Sequence, residues 1–163
     1  MSDVKNAYGS AGQAITITLA SLGDGAIRQS TAVDNSTNLF MDALVMVKIV
    51  MVKIKTAASG VDSNGVVRIY VYATVDGGSS YSGECTGTDS SLSTARNLSL
   101  LGVMTANAVS TTFYSPVYSV ASVCNGTLPE KWGIVIENGT GAALDSTGGN
   151  HSVLYHGVYA TVA

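Results

Sequence analysis

The chain has 163 residues, 46% of them hydrophobic, with 8 Lys and Arg against 11 Asp and Glu. That apolar share excludes a chain disordered throughout, and the length suits one domain with its own core. Charged residues make up only 12%, and a net charge of −3 without a basic stripe gives nucleic-acid binding no electrostatic footprint.

Residues 1–12 are small and polar, with Gly9 and Gly12, and read as an extended N-terminal arm. No apolar signal-peptide core follows Met1, so synthesis in a cytoplasm is the expectation. Residues 13–163 read as a single β-sandwich domain. Residues 13–19 alternate, with Ile15, Ile17 and Leu19 on one face and threonines on the other, which predicts a strand. Leu22-Gly23-Asp24-Gly25 is turn material, and a second short strand is expected over residues 26–31.

Residues 39–55 are the oddest segment. Val45-Met46-Val47-Lys48-Ile49 recurs at once as Val50-Met51-Val52-Lys53-Ile54. Five is odd and the strand period is two, so one straight strand would turn the two copies to opposite faces unless a bulge intervenes. Two readings stay open: a long bulged strand running into a partner, or a duplication carried in an extended arm or loop. Asp42, Lys48 and Lys53 make the segment too charged, and its length too short, for a membrane span.

Residues 66–75 give the clearest strand pattern. Val67, Ile69, Val71, Ala73 and Val75 share one face, and Arg68, Tyr70, Tyr72 and Thr74 the other. Residues 81–93 read as an exposed loop with one short strand. Residues 98–104 admit a strand or a short helix, the strand being preferred. Pro116 marks an edge, a bulge or a break within residues 111–124. A strand over 131–138 aligns Trp132, Ile134 and Ile136. A last strand over 152–162 aligns Leu154, His156, Val158, Ala160 and Val162. Seven to nine strands without a long helix predict an all-β fold, an antiparallel β-sandwich of jelly-roll type.

Catalytic signals are weak. A nucleophile needs a base and an orienting partner. His151 reads as a solvated loop residue, and His156 as a semi-buried, hydrogen-bonded one. The acids are scattered, and no phosphate-binding loop or twelve-residue calcium loop is present. The expectation is no enzyme, no cofactor and no metal. Cys85 and Cys124 lie outside any CxxC, and free thiols are favoured over a pair in a reducing compartment. The Asn-x-Ser/Thr triplets read as turns. Tyr70, Tyr72, Tyr155, Tyr159 and Trp132 would serve a sugar-stacking platform only if exposed on one face; the alternative is packing at a sheet face or a subunit interface.

Four segments carry a resemblance: Gly12 to Leu22, Asn35 to Val45, Val71 to Gly78, and Tyr155-His156-Gly157-Val158-Tyr159. Together they resemble small structural proteins of tailed bacteriophage particles. The resemblance implies a non-enzymatic virion protein, foremost a capsid decoration or cement protein. It further implies a homo-oligomer, a trimer being one arrangement, in contact with the major capsid or other virion proteins. No direct nucleic-acid or membrane partner is implied. Leu39, Phe40, Val45, Val47, Ile49, Tyr70, Tyr72, Tyr155 and Tyr159 are the interface candidates. The alternatives are a tail or adaptor component, or a carbohydrate-binding module contacting a bacterial surface. A small β-rich hydrolase would require converging acids or a histidine network.

Overall fold

Alternation of apolar and polar residues in a few long strands dictates the architecture. The computed structural model describes residues 3–36 and 49–162. The expectations for Leu39, Phe40, Val45 and Val47, and for most of the first pentapeptide copy, lie outside the described residues. Thirteen strands are seen among the described residues, and helix is confined to a few short turns. In chain order they are β1 (Val4–Tyr8), β2 (Gln13–Ile15), β3 (Ile27–Gln29), β4 (Val33–Asp34) and β5 (Ile49–Lys55). Then follow β6 (Val66–Thr74), β7 (Ser90–Leu92), β8 (Ser99–Thr105), β9 (Thr112–Tyr114) and β10 (Tyr118–Ser119). A single turn, α1 (Val120–Val123), precedes β11 (Lys131–Gly139), β12 (Ser152–His156) and β13 (Val158–Val162).

All pairings are antiparallel. One sheet runs β10-β5-β12-β2, with β9 also on β5. A second runs β7-β3-β11-β6-β8, with β4 also on β11. A separate two-stranded ribbon joins β1 to β13. The chain is thus nearly all β, as its composition predicts.

The inward residues of both larger sheets form one apolar cluster. Val67, Ile69 and Val71 of β6 join Trp132, Ile134 and Ile136 of β11; Val50, Val52 and Ile54 of β5 join Val153 and Tyr155 of β12. Trp132 meets Tyr155 edge-on across the cluster, with ring centroids 5.6 Å apart and planes at 83°. Each such side chain contributes roughly 1.5–3 kcal/mol by leaving water. In β5 the second pentapeptide copy turns Val50, Val52 and Ile54 inward and exposes Met51.

Three expectations change. The extended arm folds back on its own chain: β1 pairs with β13 from Val4↔Val162 to Tyr8↔Val158. The predicted strand 13–19 ends at Ile15, because Thr16 turns to other partners and its carbonyl accepts the Thr31 amide at 2.8 Å. The predicted strand 152–162 divides at Gly157. Its first half stays in the sheet and its second half forms the ribbon, where the Gly157 carbonyl accepts the Gly9 amide at 2.8 Å. Pro116 is a break: it separates β9 from β10, while Val52 bonds Ser115 through both its amide and its carbonyl.

Gly133 tests the packing. A Cβ there would lie 2.3 Å from the Tyr72 ring, whereas one at Gly148 meets nothing within 4 Å. Gly133→Ala is predicted to destabilise the chain by about 1–3 kcal/mol in urea unfolding. Gly148→Ala should stay within roughly 0.5 kcal/mol of the parent. Adding Tyr72→Ala to Gly133→Ala should cost less than the sum of the two single changes.

Candidate contact surfaces

Tyr70 and Tyr72 sit on the outer face of the sheet, on the opposite side of β6 from the apolar core. That face is closed by the chain itself. Tyr72, Cys85 and Val135 form a second buried cluster, against which Tyr70, Tyr81, Leu92 and Leu98 pack. The Tyr72 hydroxyl donates to the Ser30 carbonyl at 2.7 Å, and its ring meets Tyr81 edge-on at 5.4 Å. Burial pushes the Tyr72 phenol well above its ordinary pKa. Tyr70 donates to Glu137 Oε2 at 2.7 Å, and Arg68 donates to Glu137 Oε1 at 3.0 Å. Burial, then the bond to Glu137, raises the Tyr70 phenol to about 12.

The covering loop is pinned by polar groups. Gln29 is buried; it donates to Thr86 Oγ1 and Ser90 Oγ and accepts the Thr86 amide at 2.8 Å. Arg28 meets Asp89 at 2.6 Å, and Asp89 also accepts from the Thr18 amide and hydroxyl. Burial alone would raise the Asp89 carboxyl, but bonds from Arg28 and Thr18 outweigh it and lower its pKa.

These placements correct the interface candidates. Tyr72 is 0% exposed and presents no surface to a partner, and Tyr155 is buried in the core apart from the edge of its side chain that lines a groove. Tyr155 donates instead to Gln13 Oε1 at 2.6 Å. Trp132 is equally enclosed, so the aromatic platform for sugar stacking is not assembled. Tyr70 is half-buried beneath the loop, Tyr159 lies half-buried in the ribbon, and Ile49 opens β5 opposite His156. Alternation revealed two faces but not that residues 81–98 would fold back over one of them.

Both histidines bond backbone groups. His156 Nε2 donates to the Gly9 carbonyl at 2.8 Å beside the Tyr8 ring. His151, read as a solvated loop residue, is half-buried beside β5 and bonded at both ring nitrogens. Its Nδ1 accepts the Lys55 amide at 3.4 Å, which assigns the proton to Nε2, and Nε2 donates to the Asp145 carbonyl at 2.9 Å. Among the described residues no three His, Cys, Asp or Glu side chains are grouped to hold a metal ion. Cys85 and Cys124 are free thiols.

The exposed apolar side chains fall elsewhere. Leu100 (50% exposed) and Val103 (45%) project from β8, and Val117 (56%) and Tyr114 (61%) from the segment that follows. Leu100 pairs with Tyr70 and Val103 with Arg68, so both stand on the outer face of the sheet. On the core face of β8 the Tyr118 ring rests on Gly102, and its hydroxyl donates to the Val103 carbonyl at 3.2 Å. A signal for this surface exists in the sequence: from Asn97 to Pro129 there is no Lys, Arg, Asp or Glu. A separate groove of about 250 Å³ on the other sheet is lined by Ala11, Gly12, Met51, Leu154, Tyr155 and His156. No protein family, curated protein or solved structure matches the chain.

Two chemical predictions follow from these environments. Bonds from Asn150 and Thr147 hold Asp145 at about 2, and bonds from Thr74 and Ser80 hold Asp76 at about 2, both below the ordinary 3.8. Lowered folded-state values stabilise the fold above the ordinary carboxylate pKa, and that stabilisation is lost as pH falls toward 2. The thermal midpoint should therefore drop between about pH 4 and pH 2, and less steeply in Asp145→Asn. Burial pushes the Cys85 thiol up to about 12. Iodoacetamide should therefore label Cys85 in the unfolded chain much faster than in the native one.

Proposed function

We propose that this chain is a non-enzymatic structural protein of a tailed-phage particle, foremost a capsid decoration or cement protein, built as a jelly-roll-like β-sandwich. The strand pairing supports the fold. Set aside the ribbon and the short strands β4 and β7, and count β9 and β10 as one. Then β2 pairs with β12, β3 with β11, β5 with β9 and β10, and β6 with β8. First pairs with last, second with next-to-last, and so inward, as in one long hairpin wrapped into two sheets. That wrapping is the jelly-roll plan, which recurs in viral capsid and lectin domains.

Fold alone does not choose between those uses. The observation that carries the structural reading is the set of exposed apolar side chains on the uncharged segment 97–129. Uncharged apolar surface loses little by desolvation and gains by contact, so it suits a protein that works by binding other proteins. Many identical weak contacts on a symmetric shell add up to firm attachment. Enclosure of Trp132, Tyr72 and Tyr155 weighs against the lectin-like alternative. The resemblance of the four sequence segments supplies the kind of particle.

The test is quantitative mass spectrometry of phage particles purified from a lysate of the source strain, with cryo-electron microscopy to locate the density. The proposal expects the chain at a fixed copy number per major capsid protein. Its absence from purified particles overturns the proposal, and its presence at tail copy number favours the tail or adaptor role.

A further inference from the structure

We propose that β5 has two registers. In one, residues 49–55 stand where the structure shows them. In the other, the chain is displaced by one pentapeptide, so that Val45-Met46-Val47-Lys48-Ile49 fills the places of Val50-Met51-Val52-Lys53-Ile54. The inference is independent of the virion reading, since it rests on the duplication and on the surroundings of β5.

Register is normally held by the buried face. Val50, Val52 and Ile54 point into the core, and Met51 points out. An odd displacement turns every side chain of a strand to the other face, and in an ordinary strand it would bury the polar set. The duplication removes that conflict. Each of the repeated places receives the residue type it already held, so Val45, Val47 and Ile49 take over the core positions of Val50, Val52 and Ile54. Backbone partners are indifferent to the exchange. Val52 bonds Ser115 through its amide and its carbonyl, and a valine from the first copy offers the same groups. At the start of the strand, Leu44 takes the place of Ile49 opposite His156, one aliphatic side chain for another.

The two registers differ just past the repeat. Thr56 is fully buried. Its hydroxyl donates to the Ala108 carbonyl and accepts the Thr111 amide at 3.1 Å, and its own amide donates to the Thr111 carbonyl at 3.0 Å. Displacement puts Met51 in that place. A methionine has no hydroxyl for Ala108 and Thr111, and it brings a longer side chain into a closed site; both effects are unfavourable. Val50 takes the place of Lys55, which gives up an ion pair with Asp145 at 3.7 Å, a partly exposed contact of small weight. Thr56 is therefore the residue that selects the observed register. The displaced register passes one pentapeptide of chain from the connection before β5 to the connection after it, while the core keeps its composition. The connection after β5 is largely exposed, and lengthening an exposed loop costs little. The duplication thus makes β5 a slip device that sets the reach of two loops.

The test is disulfide trapping in the full chain, with the linkages mapped by peptide mass spectrometry. Met51 faces Leu154, and Lys53 faces Tyr114. Met51→Cys with Leu154→Cys reports the observed register. Met46→Cys with Leu154→Cys, and separately Lys48→Cys with Tyr114→Cys, report the displaced one. Met51→Thr supplies a hydroxyl at the Thr56 place in the displaced register and changes only an exposed residue in the observed one. It should speed both displaced-register linkages about tenfold, the order set by one buried hydrogen bond. Thr56→Val should act in the same direction, and Thr56→Ser should restore the parent rate. If Thr56→Val does not fold, Met51→Thr decides alone. Absence of the displaced-register linkages, or rates that ignore Met51→Thr, overturns the inference. So does a linkage at only one of the two reporting positions, since a displaced strand brings both together.

Discussion

Both faces of the β6–β11 pair are buried by the same chain, and most of the molecule is arranged around that constraint. The two strands share nine paired positions, from Lys131↔Thr74 to Gly139↔Val66. One face supplies Trp132, Ile134, Ile136, Val67, Ile69 and Val71 to the main core. The other holds Tyr72 over Gly133 beneath Tyr81, Cys85 and Leu98. A strand pair covered on both sides must be locally apolar or satisfied at every polar atom. Tyr72 meets that demand by donating to Ser30, and Gln29 meets it by bonding the covering loop. Gly133 is the cost of admitting a full phenol ring at this point of the sheet.

This arrangement moves the working surface. Eight tyrosines in a chain with few charges suggest an aromatic contact face, and β6 appears in the sequence to provide it. The loop over residues 81–98 takes that face out of solvent. What stays in solvent is Leu100, Val103, Tyr114 and Val117, on β8 and the segment after it, a stretch that carries no charged side chain of its own. A protein that stabilises an assembly needs contact area with low desolvation cost, and these side chains provide it in a way the tyrosine face does not.

Much of the fold was legible because strand periodicity is local. β6, β8 and β11 lie close to where alternation puts them, and the break at Pro116 follows from its missing amide hydrogen. The parts that were not legible depend on distant contacts. Nothing within residues 81–93 announces that Cys85 and Leu92 will sit on β11 and β3. Nothing within residues 1–12 announces pairing with β13, since the register is set by the partner strand. The split at Gly157 had a local cue in the glycine, but alternation continues through it and masked the change of sheet. For the contact surface, apolar alternation drew attention to the tyrosines, while the uncharged run from Asn97 to Pro129 was the more useful sign.

Hydroxyl-radical footprinting of the free chain with residue-level mass spectrometry tests the central claim most directly. The account predicts that Tyr72 and Trp132 stay unlabelled while Leu100, Val103 and Val117 are labelled. Strong labelling of Tyr72 in the folded chain would contradict it, because the tyrosine face of β6 would then be open to solvent.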